Sequence, residues 1–257
     1  MRTTVSAAVL AAMLAGGHAH AAVLTVNPTR IVLSAQAAST MLTVSNSGDA
    51  PVRLQVKTHS WSQTLDGKME LGPTEDVVVF PSMVTLGPGE ARRLRVAVVA
   101  PAGHIEKAYR VFLEELAPVA QDPGAFVRVL TRIGIPVFLQ PVTTSSRISP
   151  TRGGLEAGVS LTGVGLEAGV VRFQIDNRNT THVVPDGIRV KGVSATGLTL
   201  ADESIDGWYI LAEGARQYEL RFGAGDCASL RVVLINVQVG RDVLKGRLET
   251  PSGACAP

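Results

Sequence analysis

The residue types that most often carry enzyme chemistry are few in this sequence and widely separated. Three of its five histidines, at positions 59, 104 and 182, lie far from one another, and none has a spacing such as H-x-x-x-H that would place two imidazoles on one metal ion. Glu114 and Glu115 are adjacent carboxylates, but on a strand their side chains would point to opposite faces. There is no nucleophile elbow and no phosphate-binding loop. The sequence therefore predicts a protein that is not an enzyme and that holds no metal and no cofactor.

The first 21 residues have the features of an export signal. Arg2 supplies a basic start, residues 5–14 form an Ala-rich apolar stretch, and residues 19–21 fit a small-x-small cleavage site. The apolar stretch is too short for a membrane span, which needs about 20 apolar residues. We expect cleavage after Ala21 and a mature chain that does not insert into a membrane.

The charge balance does not favour a polyanionic partner. The chain of 257 residues has 24 Lys and Arg against 22 Asp and Glu, a net charge of +2. Such a balance gives no electrostatic reason to expect a nucleic acid or an anionic membrane surface as a partner.

Cys227 and Cys255 are the only cysteines, and both follow the export signal. A C-x-x-C redox motif is absent, and exported chains usually pair their cysteines. A structural disulfide between the two would close a loop of about 27 residues, worth roughly 3–4 kcal/mol in the chain-entropy model.

Short stretches of alternating apolar and polar residues recur along the first half of the chain, with turn signals between them. Val52, Leu54 and Val56 alternate with polar residues, which is typical of a half-buried strand, and Asp66-Gly67 marks a hairpin turn. About seven such stretches over roughly 120 residues are typical of an immunoglobulin-like sandwich.

A second block of predicted strands follows a Ser/Thr-rich segment at 142–150 that ends in Pro150 and has the composition of a linker. Its strands are predicted at 159–161, 170–175, 188–190, 209–211, 218–222, 230–239 and 244–248. We therefore expect an all-β fold of two immunoglobulin-like β-sandwich domains. The expected boundaries are a signal peptide at 1–21, a first domain at 22–141, a linker at 142–150 and a second domain at 151–257.

The segment 126–139 stands out because it carries a regular apolar row. Residues 127, 129, 133, 135 and 137 share one parity and are Val or Ile, with only Thr131 between them. The stretch 127–137 would span about 36 Å, which is long for a strand in a small domain. Such a row at a sheet edge promotes aggregation unless the edge is itself the binding surface. The residues alone leave open whether this is a binding edge or a central core strand.

Five segments, in order, resemble those of the periplasmic pilus-assembly chaperones of the PapD-like family. They are residues 27–33, residues 43–48, Phe80-Pro81 with 86–90, residues 109–116 and residues 132–138. The resemblance covers most of the mature chain and is strongest over 24–141, and it points to the divergent, archaic or alternative, branch of the family. It implies two immunoglobulin-like domains set at an angle, a location in the periplasm, and pilin subunits and an outer-membrane usher as partners.

The resemblance also implies which residues bind the subunit. Members of this family lend an edge strand to a pilin that lacks its last strand, and the corresponding residues here are Val127, Val129, Thr131, Ile133 and Ile135.

The family also holds the C-terminal carboxylate of the subunit with an Arg and a Lys. Arg30 matches the Arg, but Pro136 stands at about the position of the Lys. Arg110 is the first candidate to replace that Lys, and Arg132 is the second.

Two other classes of function stay open at this point. A secreted adhesin or pilus subunit is the main alternative, although a subunit is usually one incomplete domain and this chain has material for two. A β-sandwich hydrolase is disfavoured by the shortage of histidines and clustered acids.

Overall fold

The computed structural model describes residues 23–117, 129–142, 158–251 and 254–255. The expected signal peptide lies outside these residues, as does the expected linker apart from Val142.

The described residues of the first sandwich form ten strands. They are β1 (Leu24–Asn27), β2 (Ile31–Leu33), β3 (Ser39–Asn46), β4 (Val52–Gln63), β5 (Met69–Pro73), β6 (Val77–Phe80), β7 (Met83–Leu86), β8 (Ala91–Val98), β9 (Lys107–Glu115) and β10 (Arg132–Leu139). One sheet has the order β1-β3-β8-β6, and the other has the order β2-β10-β9-β4-β5, with β7 also paired to β4. Alternation places residues such as Leu42, Leu94 and Leu113 between the two sheets, where all three are fully buried.

Over the part of the second sandwich that the structure describes, there are seven strands and one short helix. They are β11 (Val159–Glu167), β12 (Val170–Asn177), β13 (Gly187–Ser194), β14 (Thr199–Ile205), β15 (Ala215–Arg221), α1 (Ala224–Ser229), β16 (Leu230–Val239) and β17 (Asp242–Glu249). Its sheets have the orders β11-β12-β15 and β14-β13-β16-β17. A separate core, with Phe173, Ile188 and Ile235 at its centre, lies between them. The prediction of an all-β fold with two sandwiches is thus confirmed.

The predicted disulfide is present between Cys227 and Cys255. Cys227 lies in α1 and is buried in the second core, and Cys255 packs against that core. The bond therefore ties the C-terminal segment to the body of the second sandwich.

Some elements differ from the sequence-based expectation. The stretch 209–211 is not a strand, because only Ile210 forms an isolated bridge, to Val183. β5 was missed since it is a largely exposed edge strand that carries no apolar row. A long strand was expected to begin at residue 126, but among the described residues β10 begins at Arg132.

The two sandwiches contact each other through polar groups and rings. The Nε2 group of Gln63 donates to the carbonyl of Tyr209 at 2.9 Å, and the backbone N–H of Leu211 donates to Oε1 of Gln63 at 3.2 Å. The backbone N–H of His182 donates to Oε1 of Glu106 at 2.9 Å, and His182 Nδ1 lies 2.6 Å from the same oxygen. These contacts hold the segment around Tyr209 beside the sheet that contains β9 and β10.

No helix among the described residues combines the length and the apolar character that a bilayer crossing requires.

Candidate functional site

The candidate site begins at the outer edge of β10. β9 pairs with the whole of β10, from Arg132 opposite Glu114 to Leu139 opposite Lys107. On its other side β10 pairs with β2, but only over residues 137–139, in a parallel register. Among the described strands, none covers this second edge along residues 132–136.

The hydrogen-bond pattern identifies the backbone groups on this edge. The N–H of Glu115 donates to the carbonyl of Thr131 at 2.9 Å, so these two residues form a hydrogen-bonded pair across the strands. Bonded and non-bonded pairs alternate in an antiparallel ladder, so the backbone groups of Arg132, Gly134 and Pro136 point away from β9. Pro136 has no N–H, and its place on an outward position of an edge is where a sheet tolerates proline.

The predicted apolar row is divided between the core and the surface. Val129 is 66% exposed, Thr131 and Ile133 are half-buried, and Ile135 is 1% exposed within the first core. This corrects the expectation for Ile135, because a side chain enclosed by its own domain is not available to a partner. Val127 lies outside the described residues. Three residues of the row are therefore exposed or half-buried, and we call them the donor row: Val129, Thr131 and Ile133.

Arg30 immediately precedes β2 in the chain. Ile31 is paired with Val137, so Arg30 lies level with Pro136, where the open part of the β10 edge ends. Its side chain is exposed and makes no hydrogen bond or ion pair with any described residue. Together with Asn27, Pro28, Thr29 and Tyr209 it lines an open cavity of about 470 Å³.

Arg110 lies level with Pro136 from the other side, because β9 pairs these two residues directly. It is 5% exposed, and its Nε and Nη2 atoms have no hydrogen-bond partner. Its Cζ atom stands 3.9 Å from the centre of the Trp61 ring and 6.0 Å from that of Tyr209. Burial lowers the pKa of Arg110, with the nearby Tyr209 acting in the opposite direction. A guanidinium nevertheless stays protonated in proteins, so this is a buried cation without an anion among the described residues.

Rings from both sandwiches form the wall next to Arg110. Phe138 stacks on His182 with ring centres 3.8 Å apart, and Tyr209 packs at 5.5 Å from both Trp61 and Phe138. The wall excludes water from one side of the guanidinium, which strengthens its attraction for an anion that arrives from the open side.

Arg132 is not part of this arrangement. It is opposite Glu114, four residues along β10 from Pro136, or about 13 Å at the usual strand rise. Its Nε atom already pairs with Glu114 Oε1 at 2.9 Å. This position is unfavourable for a second anchor residue, whereas Arg110 pairs with Pro136 and Arg30 lies at the same level.

The aromatic wall was not foreseen from the sequence. Trp61 follows Lys57 and His59 on one parity of β4, which hinted at a shared sheet face. The tie between Gln63 and Tyr209, however, spans 146 residues, and no local pattern reports such a contact.

Within the described ranges no group of three or more His, Cys, Asp and Glu side chains could hold a metal ion.

Comparison with known proteins identifies the first sandwich. Residues 23–145 match the family model of pili and flagellar-assembly chaperones, PapD N-terminal domain. A comparison with curated proteins gives no match.

Solved structures resemble nearly the whole chain. One is a chain from the complex of the chaperone CsuC with the tip adhesion subunit CsuE of archaic chaperone–usher Csu pili of Acinetobacter baumannii. It is 17% identical with a TM-score of 0.56, and the match covers 89% of this chain and 98% of that one. The Escherichia coli chaperone DraB is 20% identical with a TM-score of 0.54, and the match again covers 89% of this chain and 98% of the other. A chain from the complex of the SafA pilin with the SafB chaperone of Salmonella enterica is 14% identical with a TM-score of 0.52, over 88% of this chain and 96% of that one. At such identities the likeness establishes the fold.

Proposed function

Since the chain belongs, through residues 23–145, to the family of pili and flagellar-assembly chaperones, which are not enzymes, we propose that it captures pilin subunits by donor-strand complementation. In this function the open edge of β10 and the donor row complete a pilin that lacks its last strand. The observation that carries the proposal is the position of Arg110, a buried guanidinium that no described carboxylate neutralises, level with the end of that open edge.

The direction of the captured strand follows from the position of β2. β2 already occupies the β10 edge over residues 137–139. A partner strand whose C-terminus reaches Pro136 can therefore lie only along the part of the chain that precedes residue 137, beside the donor row, and it runs parallel to β10. Such a strand is in line with β2 and ends where Arg30 stands, so its terminal carboxylate meets Arg30 and Arg110 together.

The chemistry of capture is that of a sheet edge combined with an ion pair. Each backbone hydrogen bond gained along the edge contributes a net of about 0.5–1.5 kcal/mol, and burial of an exposed valine such as Val129 contributes roughly 1.5–2.5 kcal/mol before the cost of association. Guanidinium groups bind a carboxylate in a fixed fork geometry, so the anchor would also set the register of the added strand. Register matters because a slip of one residue turns every side chain to the opposite face.

Release of the subunit would occur by exchange with another strand at an outer-membrane usher, and the protein would act in the periplasm. The predicted export signal and the disulfide between Cys227 and Cys255 support that location, because disulfides persist in oxidising compartments.

The proposal is tested by co-expression of the full chain with a pilin subunit from a neighbouring reading frame. Arg30→Ala should leave the fold intact, because Arg30 is exposed and has no described partner, yet abolish recovery of the complex. Arg93→Ala, at an exposed position of β8 in the other sheet, is the matched control and should preserve recovery. Undiminished recovery with Arg30→Ala would contradict the anchor.

A further inference from the structure

Arg132 is a further cation near the open edge of β10, besides the proposed anchor residues Arg30 and Arg110. The side chains of Arg110 and Arg132 belong to the same face of the sheet, because Arg132 shares its parity with Pro136, which pairs with Arg110. A strand added along residues 132–136 would pass Arg132 before its C-terminus reaches Arg30 and Arg110.

Arg132 is held in place from two sides. Its Nε atom pairs with Glu114, and its Cζ atom lies 3.8 Å above the centre of the Phe112 ring. The ring can lie there because residue 134 is glycine: a Cβ atom at Gly134 would stand 2.8 Å from Phe112 Cε1. The guanidinium is thus preorganised over the paired strands β9 and β10, one of which carries the open edge, rather than free to move with its long side chain.

The binding capacity of Arg132 is only partly used. No described residue accepts a hydrogen bond from its two terminal amino groups, and its side chain is 52% exposed. Glu114 is shared with Lys57, whose Nζ atom lies 2.7 Å from Oε2. With two cations on one carboxylate, the group formed by Lys57, Glu114 and Arg132 carries a net charge of +1.

We propose that Arg132 reads an acidic side chain on the captured strand, close before its C-terminus. This inference rests on the proposed function, and it specifies the partner: a strand that ends in a free carboxylate and bears a carboxylate side chain facing Arg132. Neighbouring strands lie about 4.7–4.9 Å apart, a distance that a glutamate and an arginine side chain readily bridge. Two fixed points along one strand, the terminal carboxylate and this side chain, select a register where one alone leaves slippage possible.

The test uses synthetic peptides of alternating valine and threonine that end in a free carboxylate. A single glutamate is moved through each position near the C-terminus, and affinity for the full chain is measured by fluorescence anisotropy at low salt. At one position glutamate should bind about three- to tenfold more tightly than lysine, from the gain of an opposite-charge pair and the removal of a like-charge pair. Arg132→Gln should reduce this difference to less than about twofold, because it removes the charge on the partner side. Arg53→Gln is the matched control, since Arg53 is an exposed arginine of β4, away from the open edge, and it should keep the full difference.

Amidated peptides separate the two possible failures. If free-acid peptides bind no better than their amides, the carboxylate anchor itself is wrong and the proposed function fails with this inference. If the free acids bind better but glutamate and lysine are equivalent at every position, or if Arg132→Gln keeps the difference, only the role of Arg132 is overturned.

Discussion

Replacement of Arg110 by methionine should weaken binding strongly and change the stability of the free protein much less. Arg110→Met keeps an unbranched apolar side chain against Trp61 and removes the buried charge. The wild-type guanidinium is 5% exposed, and its Nε and Nη2 atoms have no hydrogen-bond partner among the described residues, so a bound carboxylate would supply the anion that they lack.

The expected loss of affinity follows from the burial of the ion pair. Truncation of one partner of a buried, hydrogen-bonded charge pair typically costs 2–4 kcal/mol or more of binding free energy. For a peptide with a free C-terminus, that range corresponds to a dissociation constant roughly 30- to 900-fold larger. The amidated peptide lacks the carboxylate and should bind the variant and the wild type about equally.

The expected change in the stability of the free protein is small, because two effects oppose each other. Replacing buried ionic groups by apolar side chains of similar volume often stabilises a protein by about 1–4 kcal/mol. The lost cation–π contact of Arg110 with Trp61, at 3.9 Å, offsets about 2 kcal/mol of this gain. We therefore expect the free energy of unfolding to change by between about −1 and +2 kcal/mol.

Urea unfolding of the free protein and anisotropy titration with the acid and amide peptides measure the two effects. Arg93→Met is the control, because Arg93 is exposed on β8 in the opposite sheet and should change neither quantity. If Arg110→Met lowers the free energy of unfolding by more than about 1 kcal/mol and keeps the preference for the free acid, Arg110 is a stacking residue of the core wall and the anchor assignment is refuted.

Three further predictions concern the edge, the disulfide and the charged group on the sheet. Val129→Asp should weaken capture of a pilin more than about tenfold in a binding titration, with the free energy of unfolding unchanged, since Val129 is 66% exposed; equal binding would exclude it from the donor row. Cys227→Ser opens the bond to Cys255, across a sequence separation of 28, and should lower the free energy of unfolding in urea by roughly 3–4 kcal/mol; a change below about 1 kcal/mol would mean that the loop is held by packing alone. The pKa of Glu114 is lowered mainly by the hydrogen bond from Lys57, so Lys57→Met should raise it. NMR titration of the Glu114 carboxyl group measures this change, and an unchanged pKa would show that the cause is wrong. A lowered pKa stabilises the fold above the unfolded-state value and this contribution is lost as the pH falls through the folded-state value, so unfolding measured below about pH 5 should depend less on pH in the variant.

The sequence by itself determined the local features of this protein. Alternation in stretches such as 52–57 predicted strands, because side-chain direction along a strand depends only on neighbouring residues. Asp66-Gly67 predicted the hairpin turn between β4 and β5. The two cysteines, in a chain expected to be exported, predicted their own pairing, because the sequence contains no other cysteine. The resemblance of several short segments to one family placed Arg30 at the candidate site.

Only the tertiary structure decided which part of the apolar row is free. Val137 pairs with Ile31 and Pro136 with Arg110, and the first of these contacts joins residues 106 positions apart, counted as 137 minus 31. Strand order and register arise from such distant pairings, which no local period encodes, so the sequence could not show that Ile135 is enclosed in the core while Val129 is exposed. For the same reason the sequence could not show whether Arg110 or Arg132 lies beside Pro136. Both are arginines on neighbouring strands, and only the register shows that one is level with the end of the open edge and the other lies along it.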